Sequence, residues 1–167
     1  MASANETPSG IANTWPIGAA AEPVYNGATK SYFQLVTVPA DRTAMWHSAR
    51  ARARGMVFNG VRGRLAVVDS AEIMVFVRDN FEVTGATWVG ARFICKPRKL
   101  LWENAKIQDR GDYARWHQRW ATSARQCPKV RYMPLFLTAE RAGFYWRASE
   151  PRQGLKYALV EFATGKK

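Results

Sequence analysis

Between Arg92 and Arg131 the chain carries eleven Lys or Arg residues against Glu103, Asp109 and Asp112, a net +8 in one segment. Trp102, Tyr113, Trp116 and Trp120 stand among these cations. Alternation of cations with flat rings can hold an anionic sugar, a stacked base or a protein surface, through charge, cation–π and stacking contacts. Arginine and tryptophan are also favoured anchors of protein interfaces. Arg110, Arg115, Arg119, Trp120 and Arg125 are the candidate contact residues of this segment.

Catalytic chemistry has fewer residues to draw on. His47 and His117 are the only histidines, and neither has a cysteine or carboxylate cluster at metal-ligand spacing, which argues against a zinc or di-metal centre. The sequence has no glycine-rich phosphate loop, nucleophile elbow or triad-like serine context. Glu103, Asp109 and Asp112 have the side chains for acid–base work, but the arginines interleaved with them favour a solvated ion-pair network. No catalytic residue, metal ligand or cofactor is therefore expected. Cys95 and Cys127 are too few for a disulfide-dense secreted module, and their spacing leaves open whether they pair across the segment.

These residues need a scaffold, and 167 residues with 47% hydrophobic content suffice for one domain with a real core. No apolar run reaches the roughly 18 residues that a membrane-spanning helix needs. The first thirty residues lack the basic start and apolar stretch of a secretory signal, so a cytoplasmic or virion-associated location is expected. The formal net charge is +12, and residues 1–29 hold Glu6 and Glu22 but no Lys or Arg, leaving +14 on the remainder. A field of that sign favours nucleic acid, anionic head groups or an acidic protein neighbour.

Residues 1–29 read as an extended N-terminal arm, rich in small and polar residues, with Ile11, Trp15 and Ile17 as apolar points of attachment. Residues 30–167 read as the domain. Tyr32 to Val38 is β-branched and aromatic and ends at Pro39, the pattern of a strand. Trp46, Ala49, Ala53, Met56 and Val57 recur at helical spacing, which predicts a helix whose arginines 50, 52 and 54 flank a buried stripe. Asn59-Gly60 and Gly63 punctuate a loop before the short buried run Leu65 to Val68. Asp69 and Glu72 have the spacing of a capping box, predicting a second helix from Asp69 with Ile73, Phe76, Val77 and Phe81 inward. Thr87 to Ile94 is strand-like, with Gly90 pointing to a bulge or a close backbone approach. Cys95 to about Val130 lacks clean periodicity. Strands are expected again over Tyr132 to Thr138, Gly143 to Trp146 and Leu155 to Phe162.

The order strand, helix, helix, tryptophan-bearing strand, long loop, hairpin, closing strand resembles the C-type-lectin-like domain. Trp46, Leu65-Ala66 leading to Ser70 and Glu72, Trp88-Val89-Gly90, Trp102-Glu103-Asn104 and Tyr157 to Phe162 carry the resemblance, over roughly residues 30–163. It implies an α+β fold in which the first and last strands pair, two helices flank a mostly antiparallel sheet, and a long loop region forms the binding surface. It also implies that Trp102 and Trp116 are interior residues of that loop. Members that bind sugar through calcium use a Glu-Pro-Asn type triplet in the loop and a Trp-Asn-Asp triplet before the last strand. Here the loop from His117 to Gln126 has no carboxylate, and the second position reads Trp146-Arg147-Ala148. The absence of a cysteine in the first helix and the last strand suits a bacterial or viral type. A related fold includes an oxidase of sulfatase cysteines, but Cys95 and Cys127 lack the near spacing that activity needs.

The expected function is a non-catalytic, calcium-independent binding or assembly module, a structural or adhesion component of a larger particle such as a phage virion. Its expected partners are other protein chains, in an oligomer or complex. The alternatives are a calcium-independent binder of glycans or anionic surfaces and a nucleic-acid binder, whose affinity would fall steeply with salt.

Overall fold

Two stretches of helical period in a chain of strands produce two helices, one for each face of a sheet. The computed structural model describes residues 22–39, 44–117, 127, 129–141 and 143–167. The strands are β1 (Val24–Asn26), β2 (Ser31–Thr37), β3 (Val57–Phe58), β4 (Val61–Arg62), β5 (Arg64–Leu65), β6 (Thr87–Ile94), β7 (Lys99–Trp102), β8 (Tyr132–Glu140), β9 (Gly143–Ala148) and β10 (Tyr157–Phe162). The helices are α1 (Trp46–Gly55) and α2 (Ala71–Asn80). The main sheet runs β1-β2-β10-β6-β8-β9, with β5 also on β10 and β7 also on β6.

The first and last strands of the domain pair as the resemblance implies, antiparallel from Tyr157 opposite Thr37 to Phe162 opposite Tyr32. β10 then runs parallel to β6 through Tyr157 and Ala158, while the other strand pairs are antiparallel. Adjacent residues of β8 enter different cores: Leu135 and Leu137 join the cluster of α2, and Phe136 joins that of α1. Leu159 and Val160 of β10 divide in the same way. With a side-chain period of two, this means that the helices cover opposite faces. Such double cover explains why Ala158 to Phe162 is buried without polar alternation.

α1 buries Trp46, Ala49 and Ala53, the predicted stripe, but stops at Gly55 rather than Val57. Met56 is extended, and Val57–Phe58 pairs with Val61–Arg62 in a hairpin. Its turn is Asn59-Gly60 at φ 49° and 75°, the positive pair that a two-residue hairpin requires. Indole donors tie α1 to the sheet: Trp46 Nε1 to the Val89 carbonyl at 2.8 Å, and Trp88 Nε1 to the Ala44 carbonyl at 2.7 Å.

α2 begins one residue later than the capping-box reading predicts. Ser70 is the N-cap, its hydroxyl accepting from Ile73 N at 3.2 Å, while the Asp69 carboxylate takes Lys106 Nζ at 3.2 Å. Ser70→Ala should therefore cost about 1 kcal/mol in urea denaturation. Asp69→Ala, which removes a partly exposed ion pair, should cost under about 0.5 kcal/mol. Equal losses would return the cap to Asp69.

Two further differences from the sequence reading concern edges. β1 lies within the segment assigned to the arm and pairs with β2, Val24 opposite Phe33 and Asn26 opposite Ser31. β7 lies within the stretch that lacks periodicity, its four residues paired to β6 from Ile94 opposite Lys99 to Ala91 opposite Trp102. A four-residue strand is too short to show a period.

The Candidate Binding Surface of the Long Loop

The loop region is built outward from Trp102 at the end of β7. Glu103 N donates to the Gly90 carbonyl at 2.8 Å, which turns the Glu103 carboxylate toward α1. There it receives Arg50 Nε at 2.8 Å and Arg54 Nη2 at 3.2 Å, with only 6% of its side chain exposed. Arg50 and Arg54 thus act as struts beside the buried stripe, as the helical spacing predicts. Asp112 sits in a different set of contacts: its Oδ2 accepts from Asp109 N at 2.8 Å and lies 3.7 Å from Lys106 Nζ. The acidic grouping of the sequence is therefore divided between a structural clamp and an ion-pair network. Lys106, hydrogen-bonded to Asp69, has its pKa raised from the ordinary lysine value and keeps its charge.

Trp146 of β9 is fully buried and forms the hub of the loop interior. Trp102, Tyr113 and Trp116 meet it edge to face, with centroids at 5.3, 5.7 and 5.7 Å. Backbone bonds fix the approach: Trp146 N donates to the Arg115 carbonyl at 2.7 Å, and His117 N to the Trp146 carbonyl at 2.9 Å. Trp102 is an interior residue, as the resemblance implies, whereas Trp116 is only partly buried, packed against the core from outside. Burial in this cluster pushes the Tyr113 hydroxyl above its usual pKa, against the opposing charge of Arg115.

Of the candidate contact residues, the structure describes Arg110 and Arg115. Arg110 is exposed in a turn. Arg115 is exposed as well, with its guanidinium carbon 4.8 Å from the Tyr145 ring centroid. His117 Nε2 lies 2.8 Å from Glu140 Oε1, and its ring meets Tyr145 edge to face. Arg119, Trp120 and Arg125, and the arm residues Ile11, Trp15 and Ile17, lie outside the described residues. Tyr145 was missed by the sequence reading. The signal was available in the alternation of β9, where Trp146 goes inward and Tyr145 and Arg147 lie on its two sides.

At the second calcium-ligand position, Arg147 lies over the Phe136 ring at 5.8 Å and Ala148 is buried opposite Leu135. Among the described residues, no group of three or more His, Cys, Asp or Glu is arranged to hold a metal ion. Cys95 and Cys127 form a disulfide with their Cα atoms 5.9 Å apart, which resolves the pairing that spacing left open. No helix among the described residues is long and apolar enough to cross a membrane.

No protein-family model and no curated protein matches the sequence. Solved structures do. The C-type lectin CEL-I from Cucumaria echinata superposes with a TM-score of 0.55 at 15% identity, over 89% of this chain and 97% of that one. The Ca2+-independent C-type lectin SPL-2 from Saxidomus purpuratus superposes with a TM-score of 0.54 at 13% identity, over 81% and 88%. The C-type lectin domain of murine dendritic cell inhibitory receptor 2, solved with an N-glycan, gives 0.55 at 13% identity, over 81% and 91%. Identities this low speak to the fold and not to shared chemistry. With paired first and last strands, a helix on each face of the sheet and a loop region packed on a tryptophan hub, the chain has the α+β fold of the C-type-lectin-like domain.

Proposed function

We propose that the chain is a non-catalytic, calcium-independent binding module that contacts other protein chains in a larger particle, such as a phage virion. The observation that carries this reading is Arg147 over Phe136, beside buried Ala148, where calcium-dependent members of the fold place oxygen ligands. A guanidinium there opposes a divalent cation, and an alanine side chain offers no oxygen. The loop cations Arg110 and Arg115, with Arg119, Trp120 and Arg125, then serve as the contact surface. Ile11, Trp15 and Ile17 of the arm provide attachment, in an oligomer or a complex.

The division of the acidic residues supports a binding role over catalysis, because Glu103 is committed to α1 and Asp112 to Lys106 and the Asp109 amide. A thermal-shift titration should show no specific stabilisation by micromolar calcium and no loss in chelator. Purification from the native source should recover the chain with a larger particle. Calcium-dependent stabilisation, or an isolated monomer throughout, would overturn the reading.

A second reading, calcium-independent glycan binding, is favoured by the likeness to SPL-2, a Ca2+-independent C-type lectin. A glycan array run in chelator separates the two: discrete hits support the glycan reading, and a blank array rejects it.

A further inference from the structure

A cleft of about 650 Å³ opens at the Ile94 end of β6. The Cys95–Cys127 disulfide, Ile94 and Val130 line it, together with the cations of Lys96, Lys129 and Arg131. Backbone pairing fixes two of its walls. Ile94 lies opposite Tyr132 in the β6–β8 ladder, and Cys95 N donates to the Arg131 carbonyl at 3.0 Å. The disulfide joins the third wall, at Cys127, to the same strand end.

Lys96, Lys129 and Arg131 are all exposed, and none has a carboxylate within ion-pair distance among the described residues. By contrast, Lys106 of the loop region and Arg50 and Arg54 of α1 are each matched to an acid. Three unmatched cations around one concavity raise the local concentration of anions. Between the cations the lining is aliphatic and disulfide, with no aromatic ring among the described residues. A sugar or base platform normally supplies a flat ring for stacking. Ile94, Val130 and the disulfide instead offer packing for a branched aliphatic side chain. The volume is in the range of small-ligand pockets, enough for a few residues of extended peptide.

We infer that this cleft binds an acidic peptide segment of a partner chain, seating an aliphatic side chain on Ile94, Val130 and the disulfide and carboxylates on Lys96, Lys129 and Arg131. The inference rests on the protein-binding reading above and names the chemistry of one partner.

The test uses the full chain and a fluorescein-labelled peptide, Glu-Asp-Leu-Glu-Val-Asp-Glu, in fluorescence polarisation. The comparison probes are the same peptide with Leu and Val replaced by Ser, a heparin-derived oligosaccharide and a single-stranded oligonucleotide. Lys96→Ala/Lys129→Ala/Arg131→Ala should weaken peptide binding by about tenfold or more, since each removed charge contact contributes up to about 1 kcal/mol. Arg62→Ala/Lys166→Ala/Lys167→Ala removes the same charge from exposed sites elsewhere and should change affinity less than about twofold. The Ser peptide should bind more weakly than the parent. Equal losses in the two triple variants would reduce the effect to net charge and overturn the inference. Equal affinity for the Ser peptide, or displacement of the peptide by oligosaccharide or oligonucleotide at lower concentration, would also overturn it. A chain that ignores the peptide yet is recovered in a particle sinks the cleft alone. One that binds the peptide but never joins a particle sinks the assembly reading alone.

Discussion

Gly90→Ala is expected to destabilise the domain by at least about 3 kcal/mol, more than most single-methyl additions, because the new methyl would meet backbone and not a movable side chain. A Cβ built at Gly90 lies 2.1 Å from the Leu65 carbonyl oxygen and 2.7 Å from its carbon. Leu65 cannot retreat, since it is paired with Val160 in β10, and Ala66 N donates to the Leu159 carbonyl at 2.8 Å. Gly90 is held from its own side by its N–H on the Ala66 carbonyl at 2.7 Å and by Glu103 N on its carbonyl at 2.8 Å. Relief of the clash therefore breaks pairing at the centre of the sheet. For a chain of this size the loss corresponds to a fall in Tm of roughly 10 °C. Gly111→Ala is the matched control, because a Cβ there meets nothing within 4 Å, and it should stay within about 0.5 kcal/mol of the parent. Urea denaturation of both variants reads the difference. Similar midpoints would mean that β5 and β6 are not held as close as described.

The second large effect is expected at Glu161, whose side chain is 3% exposed between Val160 and Phe162 near the end of the closing strand. Arg64 binds it twice, through Nε at 3.2 Å and Nη2 at 3.1 Å, and Val67 N donates to it at 3.1 Å. Glu161→Ala leaves a buried N–H and a guanidinium without their acceptor, at a cost of about 3 kcal/mol. That figure sits at the lower end for a buried pair because Arg64 remains 26% exposed and can turn to water. Removing both charges, in Glu161→Met/Arg64→Met, should recover part of the loss, leaving the Val67 N–H as the residual deficit. A double-mutant cycle read by denaturation measures the coupling. If Glu161→Ala costs less than about 1 kcal/mol, the pair is not a strut between the closing strand and β5.

Most of the fold was legible because its signals are local. The stripe from Trp46 to Ala53 announces its helical period, and the strand Thr87 to Ile94 and the run Ala158 to Phe162 announce themselves as short stretches rich in β-branched, aromatic and other apolar residues. The glycine signal at position 90 was read as a bulge or a close approach, and the structure has both: the register shifts between Trp88 and Arg92, and Leu65 touches the backbone. The misreadings arose where two local signals compete or where an element is very short. Asp69 and Ser70 are both good caps, and Lys106, distant in sequence, claims Asp69.

The amino-acid sequence by itself determined the main apolar stripes, the order of the longer strands and the two helices, and the concentration of positive charge between Arg92 and Arg131, since hydrophobic period and charge are properties of short stretches. Only the tertiary structure decided which cations are matched. It gave Glu103 to Arg50 and Arg54 and Asp69 to Lys106, joined Cys95 to Cys127, and left Lys96, Lys129 and Arg131 around one cleft. Ion pairs and disulfides form between atoms brought within a few ångströms by packing, and residues 37 or 53 positions apart carry no local sign that they will meet.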